Sequence, residues 1–380
     1  MTYDKISLEA AGVVAEVAAY SPESGVAEWH VILHVAPRGE QFAEQWKRIC
    51  AAEEMLLARP EMAGACCVAK RYFLSDSTNQ EPLMTAAKGQ PGVSLIQQQP
   101  LDGSKIAAWL YLQRGMTAET KDGTTRWSHN GYSHLWHMGM IAPGGDSFAQ
   151  TDSLLRQYTQ ALEPLGATMA ENCIRTWFFV RDVDTQYAGM VRARREHFAR
   201  QGLTPETHYI ASTGIGGIPA HPKALVQMST YTLLGFRPEQ LRYLYGRTHL
   251  NPTYEYGVTF ERGACLAYGD REHVFISGTA SIDNQGRVVN VGDIVGQTHR
   301  MWENVETLLA EAGATYDDVM HLIVYLRDMA DYETVRKLFA ARFPQTPTVF
   351  TLAPVCRPTW LIEMECMAIR PAAHPEFRAL

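Results

Sequence analysis

The chain repeats itself, and internal repetition constrains a fold before any other pattern does. In the C-terminal copy a short apolar strand at residues 274–277 leads through a Gly-bearing turn to Val295, Gln297 and Thr298. A helical pattern then runs to Leu309, Gly313 closes it, and a strand ends in Leu326-Arg327-Asp328. The middle copy has a strand at residues 135–140, then Phe148, Gln150 and Thr151, a helix to Leu165, Gly166, and a strand ending Val180-Arg181-Asp182. The N-terminal copy has residues 30–34, then Phe42, Glu44 and Gln45, a helix to Leu57, and a strand ending Phe73-Leu74-Ser75-Asp76. Phe42 to Asp76, Phe148 to Asp182 and Val295 to Asp328 span 34, 34 and 33 residues. The expectation is three domains, at about 1–125, 126–245 and 246–380.

The third copy shows what one unit is. Thr298, Met301, Trp302, Val305, Leu308 and Leu309 recur at three- and four-residue steps and share a helix face. Gly313 falls where a left-handed C-cap belongs. Residues 321–326 form an apolar run with β-branched Ile323 and Val324, a strand signal. Tyr332, Val335, Leu338 and Phe339 mark a second helix, and residues 348–352 and 360–369 two more strands. In the last strand Ile362, Met364 and Cys366 alternate with Glu363 and Glu365, so both carboxylates share one face. The unit is an α+β sandwich, a mixed sheet with two helices on one face. The bare faces of three such sheets must be hidden, and no long Pro/Gly/Ser linker separates them, so a compact intrachain ring about a pseudo-threefold axis is expected.

With 380 residues, 46% apolar and 20% charged, each unit can bury a core. A net charge of −7 argues against nucleic acid as partner. The seven cysteines form no CxxC pair and lie mostly in apolar runs, which fits free thiols in a reducing, cytoplasmic setting. The polar N-terminus and the absence of a run of about 20 apolar residues predict neither signal peptide nor membrane span. His129, His134 and His137 cluster before the middle copy's first strand, but a strand sends His134 and His137 to opposite faces, so no metal is expected. Gly214-Ile215-Gly216-Gly217 is followed by Pro219 and Pro222 rather than an amphipathic helix, and reads as a loop lining a cleft, not a dinucleotide site.

Ile276-Ser277-Gly278-Thr279-Ala280-Ser281-Ile282, with Gly292-Asp293, Gln297-Thr298, Asn304 and Val324-Tyr325-Leu326-Arg327-Asp328, resembles the RidA/YjgF family, also labelled endoribonuclease L-PSP. The resemblance is strong over 258–370, clear over 127–236 and faint over 27–112. It implies three tandem units forming an intrachain pseudo-trimer with ligand clefts between units. Deaminating members carry an Arg fifteen residues before the Glu matching Glu363, and here that position is Thr348.

A second resemblance within that superfamily is to the chorismatases. Arg175-Thr176-Trp177, then Tyr187, Arg194 and Phe198, Thr259-Phe260-Glu261-Arg262-Gly263, and Cys356-Arg357 seven residues ahead of Glu363 follow their motifs in order. Glu261 and Gly263 depart from the usual Ser and Ala, and Val191 from an Asn. The resemblance implies a hydrolase that releases pyruvate from chorismate or a related enolpyruvyl carboxylate, with no metal or organic cofactor. It implies Glu363 as general acid, and Cys356 near the ring, influencing whether a hydroxybenzoate or a dihydrodiol forms. Arg175, Arg194 and Arg262 would hold the carboxylates of a small anionic aromatic-precursor metabolite, with Tyr187, Phe260 and Gly214 lining the site. The site would lie between the second and third units of a monomeric pseudo-trimer or low-order homo-oligomer. A RidA-type imine or enamine deaminase, and a metabolite-binding protein without turnover, are the alternatives.

Overall fold

The structure is a computed structural model that describes residues 1–380 except 24, 122 and 123. Its strands form three mixed sheets. The first runs Thr2–Leu8, Val13–Tyr20, Ala27–Val35, Ile106–Arg114, Cys66–Leu74, Val93–Gln97. The second runs Ala211–Gly216, Cys173–Val180, Val226–Leu234, Tyr132–Ile141, Thr124–His129, Thr117–Lys121. The third runs Leu241–Leu244, Gly263–Ala267, Arg271–Ala280, Ile362–Pro371, Val319–Leu326, Thr348–Leu352, and ends on Gln99–Pro100, lent by the first unit. Sheet membership changes between Arg114 and Thr117 and between Leu234 and Leu241.

The second and third units follow the expected order, and the first follows it except for its second helix. The helix Ile294–Glu311 starts at Asp293, whose carboxylate caps the Gly296 N–H, and buries the predicted face from Gln297 to Leu309. Gly313 lies just beyond it at φ 73°. The helices Phe42–Leu57 and Ser147–Leu162 repeat this element, and the second helix is Val183–Arg200 in the middle unit and Tyr332–Arg342 in the third. Among the described residues of the first unit that second helix is absent. Only the short turns Ser77–Gln80 and Glu81–Leu83 occupy its place, because Pro82, Gly89, Pro91 and Gly92 interrupt the segment.

The bare sheet faces meet around a pseudo-threefold axis, giving an intrachain pseudo-trimer. Buried Trp109, Tyr111, Trp136, Tyr231 and Phe275, drawn from all three sheets, join one core. The fully buried Glu28 of the first sheet pairs with Arg271 of the third at 2.6 Å, and Tyr111 donates to the same carboxylate. Backbone bridges close the ring: Gln97 pairs with Ile218, the Gly216 N–H bonds the Pro354 carbonyl at 2.9 Å, and Gln99 pairs with Leu352. Among the described residues no helix is long and apolar enough to cross a membrane.

Candidate active site

A cavity of about 330 Å³ lies where the middle unit's edge strand Ala211–Gly216 and helix Val183–Arg200 face the third unit's strand Arg271–Ala280. That last strand bulges between Ile276 and Thr279, and the bulge carries Ser277 and Gly278 to the seam. There the Ser212 N–H donates to Ser277 Oγ at 2.9 Å and the Gly278 N–H to Thr213 Oγ1 at 2.9 Å, stitching the two units together. A Cβ on Gly278 would overlap the Glu363 carboxyl, so the glycine leaves room for that side chain where it stands.

Glu363 stands on Ile362–Pro371 opposite Ala280 and Tyr325 and lines the cavity while being only 5% exposed. It makes no hydrogen bond among the described residues. Burial and then the negative charge of Glu365 push its carboxyl up to about 8, with Arg175 and Arg262 pulling the other way. It is therefore a protonated acid at neutral pH.

Helical spacing places Tyr187, Val191 and Arg194 on the cavity side of Val183–Arg200. Arg194 is 1% exposed. Its Nε donates to Thr259 Oγ1 at 3.2 Å and its Nη1 to Ser212 Oγ at 3.3 Å, while Nη2 has no partner among the described residues. Arg262, also lining the cavity and 4% exposed, donates from Nη2 to the Asn251 carbonyl at 3.1 Å, and its Nε has no partner among the described residues. Both guanidinium groups approach the Phe260 ring, at 5.9 and 5.5 Å. Two buried guanidinium groups, each with an N–H that has no partner among the described residues, thus line one cavity with the Glu363 carboxyl, an arrangement chemically suited to an anion.

Cys356, Phe260, Tyr187 and Gly214 line the same cavity. The Cys356 thiol is pushed up to about 12 by burial and by the Glu363 charge, so it remains a thiol. Gly214 lies in a strand and not in a loop. It pairs in parallel with Phe178, and a Cβ on it would press the Tyr187 ring at 3.1 Å, so the glycine opens the wall without breaking the strand.

Arg175 does not line this cavity. It is 2% exposed, and its Nη2 pairs with Glu365 Oε2 at 2.9 Å. The carboxylate next along the strand therefore takes up its charge, and the expected role of Arg175 in holding a ligand is corrected to one beneath the cleft. Thr348 also lies elsewhere, in a cavity with Glu16 and His34 between the third and first units. By sheet register the position facing Glu363 is Ser212, since Thr176 pairs with Ser212 as Leu322 pairs with Thr348. Tyr256, Arg357, Trp360 and Ser212 also line the cleft. Of the tyrosines before Arg262, Tyr256 walls the cavity, whereas Tyr254 is 46% exposed.

Register also identifies the counterparts of Glu363. Tyr325 pairs with Glu363 as Phe179 pairs with Gln227 and Phe73 with Ala107. Of these three equivalent positions, only that in the second–third cleft carries a carboxyl.

The family model for Endoribonuclease L-PSP matches residues 267–370. A RutC family protein of Pyrococcus abyssi is 33% identical over 99 residues, 26% of this chain and 78% of its own length. The chain thus belongs to the RidA/YjgF (endoribonuclease L-PSP-like) superfamily. Within it, a chorismatase of Streptomyces rapamycinicus is 26% identical over 340 residues, spanning 80% of this chain and 98% of that protein. A chorismatase crystal structure shares the fold with TM-score 0.64 at 21% identity, over 82% of this chain and 96% of that one.

Proposed function

We propose that the second–third cleft is the active site of a chorismatase-like hydrolase, releasing pyruvate from chorismate or a related enolpyruvyl carboxylate. The observation that carries the reading is that the buried Glu363 carboxyl, without a hydrogen bond among the described residues, lines one cavity with Arg194 and Arg262, each of which keeps a guanidinium N–H without a partner there. The full-length likeness to a chorismatase supports it.

Such a substrate carries two carboxylates, which Arg194 and Arg262 would each hold with charge-assisted hydrogen bonds. Glu363 gives its proton to the terminal methylene carbon of the enol ether. The C=C electron pair forms the new C–H bond, and positive charge develops at the ether carbon. Water adds there, Glu363 recovers a proton from it, and the resulting hemiketal breaks its bond to the ring oxygen, giving pyruvate and a ring alcohol. The raised proton affinity of Glu363 suits both directions of transfer near neutral pH. Tyr256, Phe260 and Trp360 offer ring-sized apolar walls.

The test is incubation of the protein with chorismate and a coupled assay of pyruvate. Stoichiometric pyruvate is expected. Folded protein that yields none at any pH from 5 to 8 would show the substrate assignment to be wrong.

A further inference from the structure

Among the described residues the first unit contributes none to the cavity, yet one of its side chains reaches the charges underneath. Glu365 sits two residues beyond Glu363 on the same strand face and is 3% exposed. Arg71, from Cys66–Leu74 of the first sheet, donates from Nη1 to Glu365 Oε1 at 3.2 Å and is 1% exposed. From the middle unit, Arg175 donates to Oε2 at 2.9 Å, Trp177 Nε1 lies 3.0 Å from each oxygen, and the Thr213 hydroxyl also donates. All three units thus converge on one carboxylate.

Two buried carboxyls this close along one strand face cannot both be ionised cheaply. The donors decide which is. Every donor in the cluster points at Glu365 and none at Glu363. We propose that Arg71 of the first unit is a positioning residue of the second–third cleft, clamping Glu365 together with Arg175 as a fixed anion that keeps the proton on Glu363. Consistent with this, burial is the largest single influence and opposes ionisation, but Arg175, Arg71 and the Thr213 hydroxyl lead the groups that together hold the Glu365 carboxyl below its usual range. The other groups facing the pair are His321 and Tyr325 from Val319–Leu326, Cys366 on the strand itself, and Arg262, Cys356 and Tyr187 on the cavity side. His321 is pushed down to about 3 by burial and is neutral, so the cations on Glu365 are Arg71 and Arg175.

This inference rests on the reading of Glu363 as the acid, but its test does not need the substrate. The carboxyl carbons of 13C-glutamate-labelled full-length protein are titrated by NMR, with Glu363→Gln assigning the resonance. In Glu365→Gln the first proton taken up by Glu363 moves down by about one pH unit, because the neighbouring anion is gone. In Arg71→Met the pair takes up its first proton at higher pH than in the parent, because Glu365 has lost a cation. Arg71→Lys restores the parent midpoint in part and guards against a misfolded Met variant. Unmoved midpoints in Glu365→Gln or in folded Arg71→Met would overturn the proposal. If the midpoints move as stated but chorismate gives no pyruvate, the substrate reading fails and the positioning role stands.

Discussion

Replacing Glu363 by Gln is expected to stop turnover and, above pH 5, to stabilise the fold. The carboxyl has a folded value of about 8 against a reference of 4.5, because burial and Glu365 disfavour its charge. An acid with a raised folded value binds its proton more tightly folded than unfolded. Its contribution is therefore fully present below about 4.5 and is lost as pH rises through about 8. Each pH unit in that window is worth about 1.4 kcal/mol, which puts a ceiling of about 5 kcal/mol on the penalty at pH 8 and about 2 to 3 kcal/mol near pH 6.5. Glutamine has nearly the same shape and does not titrate, so it escapes this penalty. Subtracting the two proteins cancels the other titrating groups, except where they couple to Glu363 itself. The assay is urea unfolding of both proteins at pH 5, 6, 7 and 8, comparing midpoints at matched slopes. The stability difference should turn increasingly in favour of Gln as pH rises. A difference that stays flat across the window would mean that Glu363 is ionised in the fold, and the acid role would fall with it.

The same carboxyl sets a rate profile: kcat/KM for chorismate should fall about tenfold per pH unit above roughly 8, and an alkaline limb near 5 would contradict the assignment. Arg262→Ala should raise KM by about 10- to 100-fold, the worth of one or two charge-assisted hydrogen bonds, with circular dichroism unchanged. Arg175→Met should instead cost about 3 to 5 kcal/mol of stability by stranding the buried Glu365 charge, measured by denaturant unfolding; a stable variant with a purely raised KM would return Arg175 to the ligand. Gly278→Ala should fold yet lose turnover, because its Cβ meets the Glu363 carboxyl; full activity would mean the carboxyl is free to lie elsewhere.

The three-unit architecture was legible because repetition and period are properties of single segments. Alternation of Ile362, Met364 and Cys366 with Glu363 and Glu365 placed two carboxylates on one face, and the strand Ile362–Pro371 does so. Cross-unit partnership left no such trace. Arg175 and Arg194 both sit in motif positions, but only the spatial nearness of Glu365 shows that Arg175 is already neutralised. Arg71 carries no signal in its segment, since its partner lies 294 residues away. Thr348 stands fifteen residues before Glu363 along the chain, yet the strand Thr348–Leu352 faces the first unit, so the register-equivalent residue beside Glu363, Ser212, comes from another repeat. The glycines of the strand Ala211–Gly216 mimic a loop because glycine is equally suited to a strand that must leave room for Tyr187.

Fusing three copies into one chain frees each cleft to diverge, which a homotrimer cannot do. The register-equivalent positions hold Glu363, Gln227 and Ala107. Gln227 donates to Ser94 across the first–second seam at 2.9 Å, so the acid's place there is taken by a neutral stitch between units. At Ala107 no polar group remains, and the adjoining third–first cavity instead holds His34 between Glu16 and Asp102, each 3.4 Å away. That pairing overcomes burial and lifts the imidazole to about 9, so the cation is neutralised by two carboxylates and is not free to hold a ligand. The first unit has also lost the helix that carries Tyr187 and Arg194 in the second. A cleft that has to bind an anion needs an unpaired cation, and one that has to protonate it needs a neutral acid. Among the described residues only the second–third cleft has both; in the first–second cleft Gln227 stitches two units together, and in the third–first cleft the Glu16 carboxylate accepts from the Thr348 N–H at 3.1 Å.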